Sequence, residues 1–224
     1  MEGKITFALC IEPTGEVLVR APFHTPQSRL SEVVESKRGW IIKKLRSLDN
    51  IYPVVKKEFV SGESFPYLGR HLRLKIRQDH RTNKPMVNIG RGRLEVLLNT
   101  TSNGRSAEEI RGAVVFWYKA EAARYIPERV RIYAKKMGLA EPGILIRNQQ
   151  KIWGSCNAKG VLRFNWRMMM APVSLIDYVV VHELCHLKHN NHAAPFWKYL
   201  HTVMPDYEKR KEALRKNGIS YHWQ

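Results

Sequence analysis

The run His182-Glu183-Leu184-Cys185-His186 constrains the fold of this chain more than any other feature. On an α-helix, residues four apart are separated by about 40° around the axis and by one turn along it. His182 and His186 therefore put two imidazoles on one face, at a spacing that suits one tetrahedral Zn²⁺. Glu183 stands about 100° further round, where its carboxylate can reach a water at the metal and take its proton. The pattern is H-E-x-x-H, in which the Glu serves as general base. The preceding run Asp177-Tyr178-Val179-Val180-Val181 is largely apolar, so the helix is expected to be buried. A glutamate between two buried histidines is costly without a metal or partners.

A third ligand requires a change of direction. A helix continued to His192 would carry that residue about 9 Å beyond His186. The helix must therefore stop and the chain turn back. Asn190-Asn191 offers the means, since Asn tolerates the left-handed conformation that ends helices. Ala193-Ala194-Pro195 then reads as the start of a new helix, with Pro195 at its first position. Three His ligands with one open position make a catalytic zinc rather than a closed structural one. His189 is the rival to His192 as third ligand, and His201 reads as a helix-surface residue.

With 224 residues the chain can form one large domain or two small ones. A charged fraction of 26% and a hydrophobic fraction of 44% match a soluble globular protein. No stretch approaches the roughly 18 apolar residues of a membrane span. The N-terminus lacks the pattern of a signal peptide. Cys10, Cys156 and Cys185 form no C-x-x-C pair, which favours a reducing cytoplasm. The net charge is +18. It is spread over both halves, with 20 basic and 12 acidic residues in 1–112 and 18 and 8 in 113–224. A broad positive field attracts polyanions, so non-specific DNA contact is an expectation.

Along the chain, residues 4–20 read as a hairpin turning at Pro13-Thr14-Gly15. Ser31 suits the N-cap of a helix carrying Val33, Val34, Ile41, Leu45 and Leu48. Residues 58–99 alternate as strands, with Leu72, Leu74 and Ile76 on one face and Gly90-Arg91-Gly92 as a turn. Asn103-Gly104 marks a boundary, and Ser106-Ala107-Glu108-Glu109 is a capping box. A helical pattern then runs to Met137, with Pro127 expected to kink or split it and Gly138 to stop it. Ile144–Arg147, Ile152–Asn157 and Val161–Trp166 read as strands, with Ala158-Lys159-Gly160 as a tight turn. The H-E-x-x-H helix starts near Val173. The last helix starts at Asp206 and ends at Asn217-Gly218. The expected division is a β-rich N-terminal region with one helix over 1–103 and a catalytic domain over 104–224.

Taken together, these segments resemble the YgjP-like metallopeptidases, relatives of SprT and of the Wss1-like proteases. The similarity lies in Trp153-Gly154-Ser155-Cys156, Asn165-Trp166-Arg167, Ala171-Pro172, Tyr178 to His186, Asn191-His192, Phe196-Trp197 and Pro205-Asp206-Tyr207. It extends more weakly to Lys37-Arg38-Gly39-Trp40-Ile41 and Phe65-Pro66-Tyr67-Leu68-Gly69-Arg70. The resemblance implies an α+β fold, a zincin-like metallopeptidase domain with a small sheet beside the H-E-x-x-H helix. It implies His182, His186 and His192 as zinc ligands and Glu183 as catalytic residue. Two places depart from the family. Gln149-Gln150-Lys151-Ile152 stands where basic residues are usual, and Ala193 where a small hydroxyl residue often follows the third His.

The expected activity is endopeptidase cleavage of a protein or peptide substrate. Such substrates lie along a sheet edge, so Trp153, Gly154 and Ser155 are candidate substrate-binding residues. Tyr178, Tyr199, Tyr207 and His201 are candidates for stabilising the tetrahedral oxyanion. Cys185 reads as a small core residue. The rival reading is a nucleic-acid-binding or sensor module with a non-proteolytic zinc site, and Glu183 argues against it, because a structural site has no need of that carboxylate.

Overall fold

The apolar alternation at the N-terminus forms a hairpin. Strands β1 (Ala8–Ile11) and β2 (Val17–Arg20) pair antiparallel, Ala8 opposite Arg20 and Ile11 opposite Val17. The following helix starts earlier than Ser31. Helix α1 (Gln27–Ser36) is led by Pro26, and the Ser31 hydroxyl, inside it, donates to the Gln27 carbonyl at 3.1 Å. Proline fixes φ near −65° and its missing N–H is no loss at a helix start. The helical pattern then breaks at Lys37, and α2 (Arg38–Asp49) follows. The computed structural model describes residues 7–11, 16–49, 56–79, 84–99, 107–149 and 152–223. The expected turn at 13–15, the boundary at Asn103-Gly104 and the capping residue Ser106 lie outside the described residues.

The chain divides into two compact units, Met1–Pro53 and Val54–Gln224. In the second unit, β3 (Ser64–Tyr67), β4 (Arg70–Gln78), β5 (Met86–Gly90) and β6 (Arg93–Leu98) form a sheet in the order β3-β4-β6-β5. β4 and β6 run parallel and the other pairs antiparallel. Leu72 and Leu74 are buried and Ile76 half-buried, as their alternation predicts. Leu68-Gly69 and Arg91-Gly92 take positive φ at both residues, the geometry of two-residue hairpin turns.

Helix α3 (Ala107–Lys136) is unbroken despite Pro127. The carbonyl that loses its partner there belongs to Ala123, which is exposed, so solvent can satisfy it. Its buried face is Ile110, Val114, Trp117, Tyr118, Ala122, Ile126, Val130 and Ala134. Gly138, at φ 64°, takes the left-handed conformation that ends a helix.

Next come β7 (Ile144–Arg147), β8 (Gly154–Cys156) and β9 (Leu162–Asn165), in the order β7-β9-β8 with β8 outermost. The β8–β9 turn is closed by the Asn157 side chain, which accepts from Lys159 N and Val161 N at 3.0 and 2.8 Å. After a 3-10 turn over Trp166–Met170 come α4 (Val173–Cys185), α5 (Ala194–Val203) and α6 (Tyr207–Asn217). One hydrophobic core runs through Phe65, Leu74, Leu94, Tyr118, Trp166, Val180 and Trp223. The strands of 64–98, grouped with the N-terminal region by sequence, are thus built into the core that holds α4. No helix among the described residues is long and apolar enough to cross a membrane.

Helix α4 is tied to α3 by a part-buried ion pair. Arg129 donates from Nε and Nη2 to the two carboxylate oxygens of Asp177 at 2.7 and 2.8 Å, and the Tyr133 hydroxyl adds a third bond at 3.0 Å. Removing Asp177 leaves the half-buried Arg129 guanidinium and the Tyr133 hydroxyl without their acceptor. Asp177→Ala is expected to lower stability by about 2–4 kcal/mol, read as a drop in the urea midpoint at unchanged m-value. A change under about 0.5 kcal/mol would remove this pair from the framework of the site.

Candidate metal centre and active site

Every residue of α4 from Leu175 to Val181 is buried, which is why this helix has no polar face. It ends at Cys185, and His186 is its C-cap at φ −66°, ψ −17°. The reversal toward His192 therefore begins earlier than Asn190-Asn191. Leu187 N bonds to Leu184 O, and both Lys188 N and His189 N bond to Cys185 O. Neither Asn190 nor Asn191 is left-handed, since the non-glycine residues of positive φ are Phe59, Leu68 and Arg91. Asn191 acts through its side chain, which accepts from Ala193 N at 3.1 Å. Side-chain capping of this kind competes with helix continuation without needing a special φ. Helix α5 then starts at Ala194, so Pro195 occupies its second position.

The reversal brings the three histidines together. His182, His186 and His192 each offer one ring nitrogen, and these lie within 4.8 Å of one another. The Nε2 atoms of His182 and His192 are 2.9 Å apart. Two ligands at about 2.05 Å from a tetrahedral zinc would stand about 3.3 Å apart, so a small relaxation admits the ion. His186 is oriented by a bond from Nδ1 to the His189 carbonyl at 3.0 Å. A carbonyl only accepts, so that nitrogen carries the proton and Nε2 keeps its lone pair for a metal. His189 contributes this carbonyl, while its ring faces Tyr199 at 5.7 Å.

Beneath the cluster lies Phe196, fully buried, with its ring 5.0, 4.8 and 4.7 Å from those of His182, His186 and His192. Trp197 donates from Nε1 to the His192 carbonyl at 2.9 Å and so fixes the returning strand of chain. Both aromatic residues are supplied by the first turn of α5, just past His192. Their adjacency to His192 is visible in the sequence, but their contact with the other two histidines is not.

Glu183 is 5% exposed. Burial pushes its carboxyl up from 4.5 to about 8. Burial, then the neighbouring His186 and His192, then Lys211, push His182 down to about 3. His192 is lowered by burial, His186 and Lys211. Both shifts favour the neutral imidazole at His182 and His192, the form that can ligate a cation. The Nδ1 of His182 is buried without a hydrogen-bond partner among the described residues.

Gly154 approaches Glu183 so closely that a side chain is excluded. A Cβ there would lie 2.7 Å from Oε1, 2.8 Å from Cγ and 3.0 Å from Cδ of Glu183. The reason for this glycine is thus the carboxylate beside it, a contact between residues far apart in sequence. Ser155 lies half-buried on β8, opposite Arg163 of β9. Trp153 turns to the C-terminal segment, with its ring 6.2 Å from Tyr221 and 5.0 Å from His222 and its edge against Gly218.

The four oxyanion candidates separate. Tyr178 is buried, its ring 5.9 Å from His182, and burial followed by the charge of Glu183 pushes its hydroxyl up to about 12. Tyr199 donates to the Met137 carbonyl at 3.4 Å. Tyr207 stacks on Trp197 at 5.5 Å and donates to Glu208, and His201 stands exposed against it. Cys185 is fully buried and its thiol is pushed up to about 12 by burial and then Glu183.

The family model described as YgjP-like, metallopeptidase domain, matches residues 5–217. Among solved structures, the metallopeptidase zymogen abylysin of Pyrococcus abyssi aligns with 19% identity and a TM-score of 0.38, over 40% of this chain and 90% of that one. The metallopeptidase zymogen jannalysin of Methanocaldococcus jannaschii aligns with 20% identity and a TM-score of 0.36, over 40% of this chain and 92% of that one. Comparison with curated protein sequences gives no match.

The raised carboxyl of Glu183 has a consequence for the metal-free protein. Above about pH 4.5 the unfolded chain releases this proton, while the folded chain keeps it to about pH 8. Folded protein then binds more protons than unfolded, so stability falls as pH rises through that window. The lowered His182 acts oppositely, but only below its ordinary value of 6.5. Between about pH 6.5 and 8 the metal-free protein should lose at most about 1.4 kcal/mol per pH unit. Thermal melts in chelator should show this decline, and Glu183→Gln should abolish it. An equal decline in both proteins would assign it to another group.

Proposed function

The chain belongs to the YgjP-like metallopeptidase family, and from that premise we propose that it is a zinc endopeptidase held together at its site by His182, His186 and His192, with Glu183 as general base. The observation that carries the reading is the meeting of three imidazoles in one cluster beside a buried, unpaired carboxylate on the same helix. Three nitrogen donors suit zinc and leave a position open.

Bound zinc would supply Lewis-acid polarisation of the scissile carbonyl and ease the ionisation of water. Glu183 accepts the proton of the attacking water and returns it to the departing amine. Gly154 keeps that carboxylate in place by lying directly against it, and any larger residue would displace it. Tyr178, one turn before His182 and with no hydrogen-bond partner among the described residues, is the side chain best situated to donate to the tetrahedral oxyanion. The outer strand β8 pairs with β9 on one side only, and its free edge beside Glu183 supports an extended peptide added as a further strand. On this reading Ser155 and the backbone of Gly154 meet substrate, and Trp153 supports them from behind.

A nucleic-acid-binding or sensor module with a non-proteolytic zinc has no use for a carboxylate buried at considerable cost beside the ligands. The charge of +18 supports weak, salt-sensitive DNA contact as a secondary property.

Metal analysis and peptide cleavage test the reading. Wild type should hold one zinc, and His182→Ala, His186→Ala and His192→Ala should each lose most of it. Glu183→Gln should keep its zinc and cleave at least about a hundredfold more slowly, the usual range for a lost general base being 10²–10⁴. Full zinc in His192→Ala, or unimpaired cleavage by Glu183→Gln, would contradict the assignment of that residue. Gly154→Ala should likewise retain zinc while losing about tenfold or more in kcat, because a small misplacement of a catalytic group is costly. Wild-type kcat in Gly154→Ala would mean that Glu183 has room to adjust.

A further inference from the structure

The carboxylates of α6 are already engaged. Asp206 pairs with Arg210 at 2.8 Å, Glu212 with Arg215 at 2.7 Å and with Lys216 at 3.6 Å, and Glu208 accepts from the Tyr207 hydroxyl at 3.2 Å. Lys211, exposed on the same helix, has no carboxylate partner among the described residues. Its ammonium instead lies 4.2 Å from the centre of the Trp197 ring. The negative face of an indole attracts such a cation, which holds a long side chain that would otherwise range through solvent.

Trp197 is itself fixed. It donates to the His192 carbonyl, stacks on Tyr207, and lies 5.6 Å from the His192 ring and 6.1 Å from the His182 ring. Lys211, held over the Trp197 ring, accordingly stands beside the ligand cluster. A positioned, unneutralised cation at the rim of a peptide-cleaving site has one strong complement in a peptide, because the main chain is neutral and carboxylates are the negative groups.

We propose that Lys211 is the carboxylate anchor of the substrate cleft, a specificity-determining residue that selects peptides bearing negative charge close to the bond to be cut. The proposal rests on the peptidase reading above. Two sources supply this chemistry, the side chain of an Asp or Glu and the C-terminal carboxylate. In both, the ion pair forms beside the ligand cluster and Trp197 keeps the ammonium in place to receive it.

The test measures binding, so that it is separate from turnover. The zinc-loaded full chain carrying Glu183→Gln is titrated with a host peptide cleaved by wild type. The host is varied Gln to Glu at each of three positions on either side of the cleaved bond, and amide to free acid at its C-terminus. The same titrations are made with Lys211→Met and Lys211→Arg added. At one place in the peptide the carboxylate form should bind about threefold to tenfold more tightly. That ratio should fall to about one in Lys211→Met and survive in Lys211→Arg. A Glu-dependent ratio identifies a side chain as the source, and an acid-dependent ratio identifies the C-terminus. The proposal is overturned if no place shows a preference for carboxylate, or if Lys211→Met leaves the preference unchanged. Should wild type cleave no peptide, the peptidase reading fails, and the same Gln-to-Glu and amide-to-acid series, run along a peptide that the Glu183→Gln chain binds, still decides the role of Lys211.

Discussion

The site depends on α4 ending where it does. His186 is both a member of the histidine cluster and the last residue before the chain reverses. A further helical turn would carry His192 away from His182 instead of returning it. The termination is achieved locally, by bonds from Leu187, Lys188 and His189 back to Leu184 and Cys185, and by the Asn191 side chain. It is then secured from outside by α5, whose Phe196 lies under all three imidazoles and whose Trp197 holds the His192 carbonyl.

The rest of the second unit keeps α4 in register for that purpose. A helix buried from Leu175 to Val181 cannot slide without disturbing the core, and the Arg129–Asp177 pair fixes it against α3. On the other side, β8 comes so near that only glycine fits at 154. Glu183 is buried there, which explains its raised carboxyl.

Much of this was legible from local pattern. The positions of His182, Glu183 and His186, the start of α4 at Val173 and the need for a reversal before His192 follow from periodicity and capping, whereas α6 ends at Asn217 with Gly218 right-handed at φ −55° and packed against Trp153 rather than left-handed. Elsewhere the surroundings override a local rule. Ser31 resembles an N-cap, yet Pro26 had already started the helix. Pro127 should interrupt α3, yet the freed carbonyl faces solvent and the buried face continues past it. Asn190-Asn191 suggested left-handed residues, whereas hydrogen bonding supplied the turn. What could not be read at all was proximity between distant elements: Gly154 against Glu183, Phe196 beneath the histidines, and Lys211 over Trp197. None of these contacts has a periodicity to reveal it.

The central claim is that three imidazoles hold one zinc and that His186 does so through Nε2, since its Nδ1 is committed to the His189 carbonyl. Anomalous diffraction at the zinc edge from crystals of the zinc-loaded protein tests this most directly. The account predicts a single anomalous peak about 2.0–2.1 Å from the Nε2 atoms of His182, His186 and His192. A peak bound by His189 in place of His192, or coordinated by Nδ1 of His186, would contradict it.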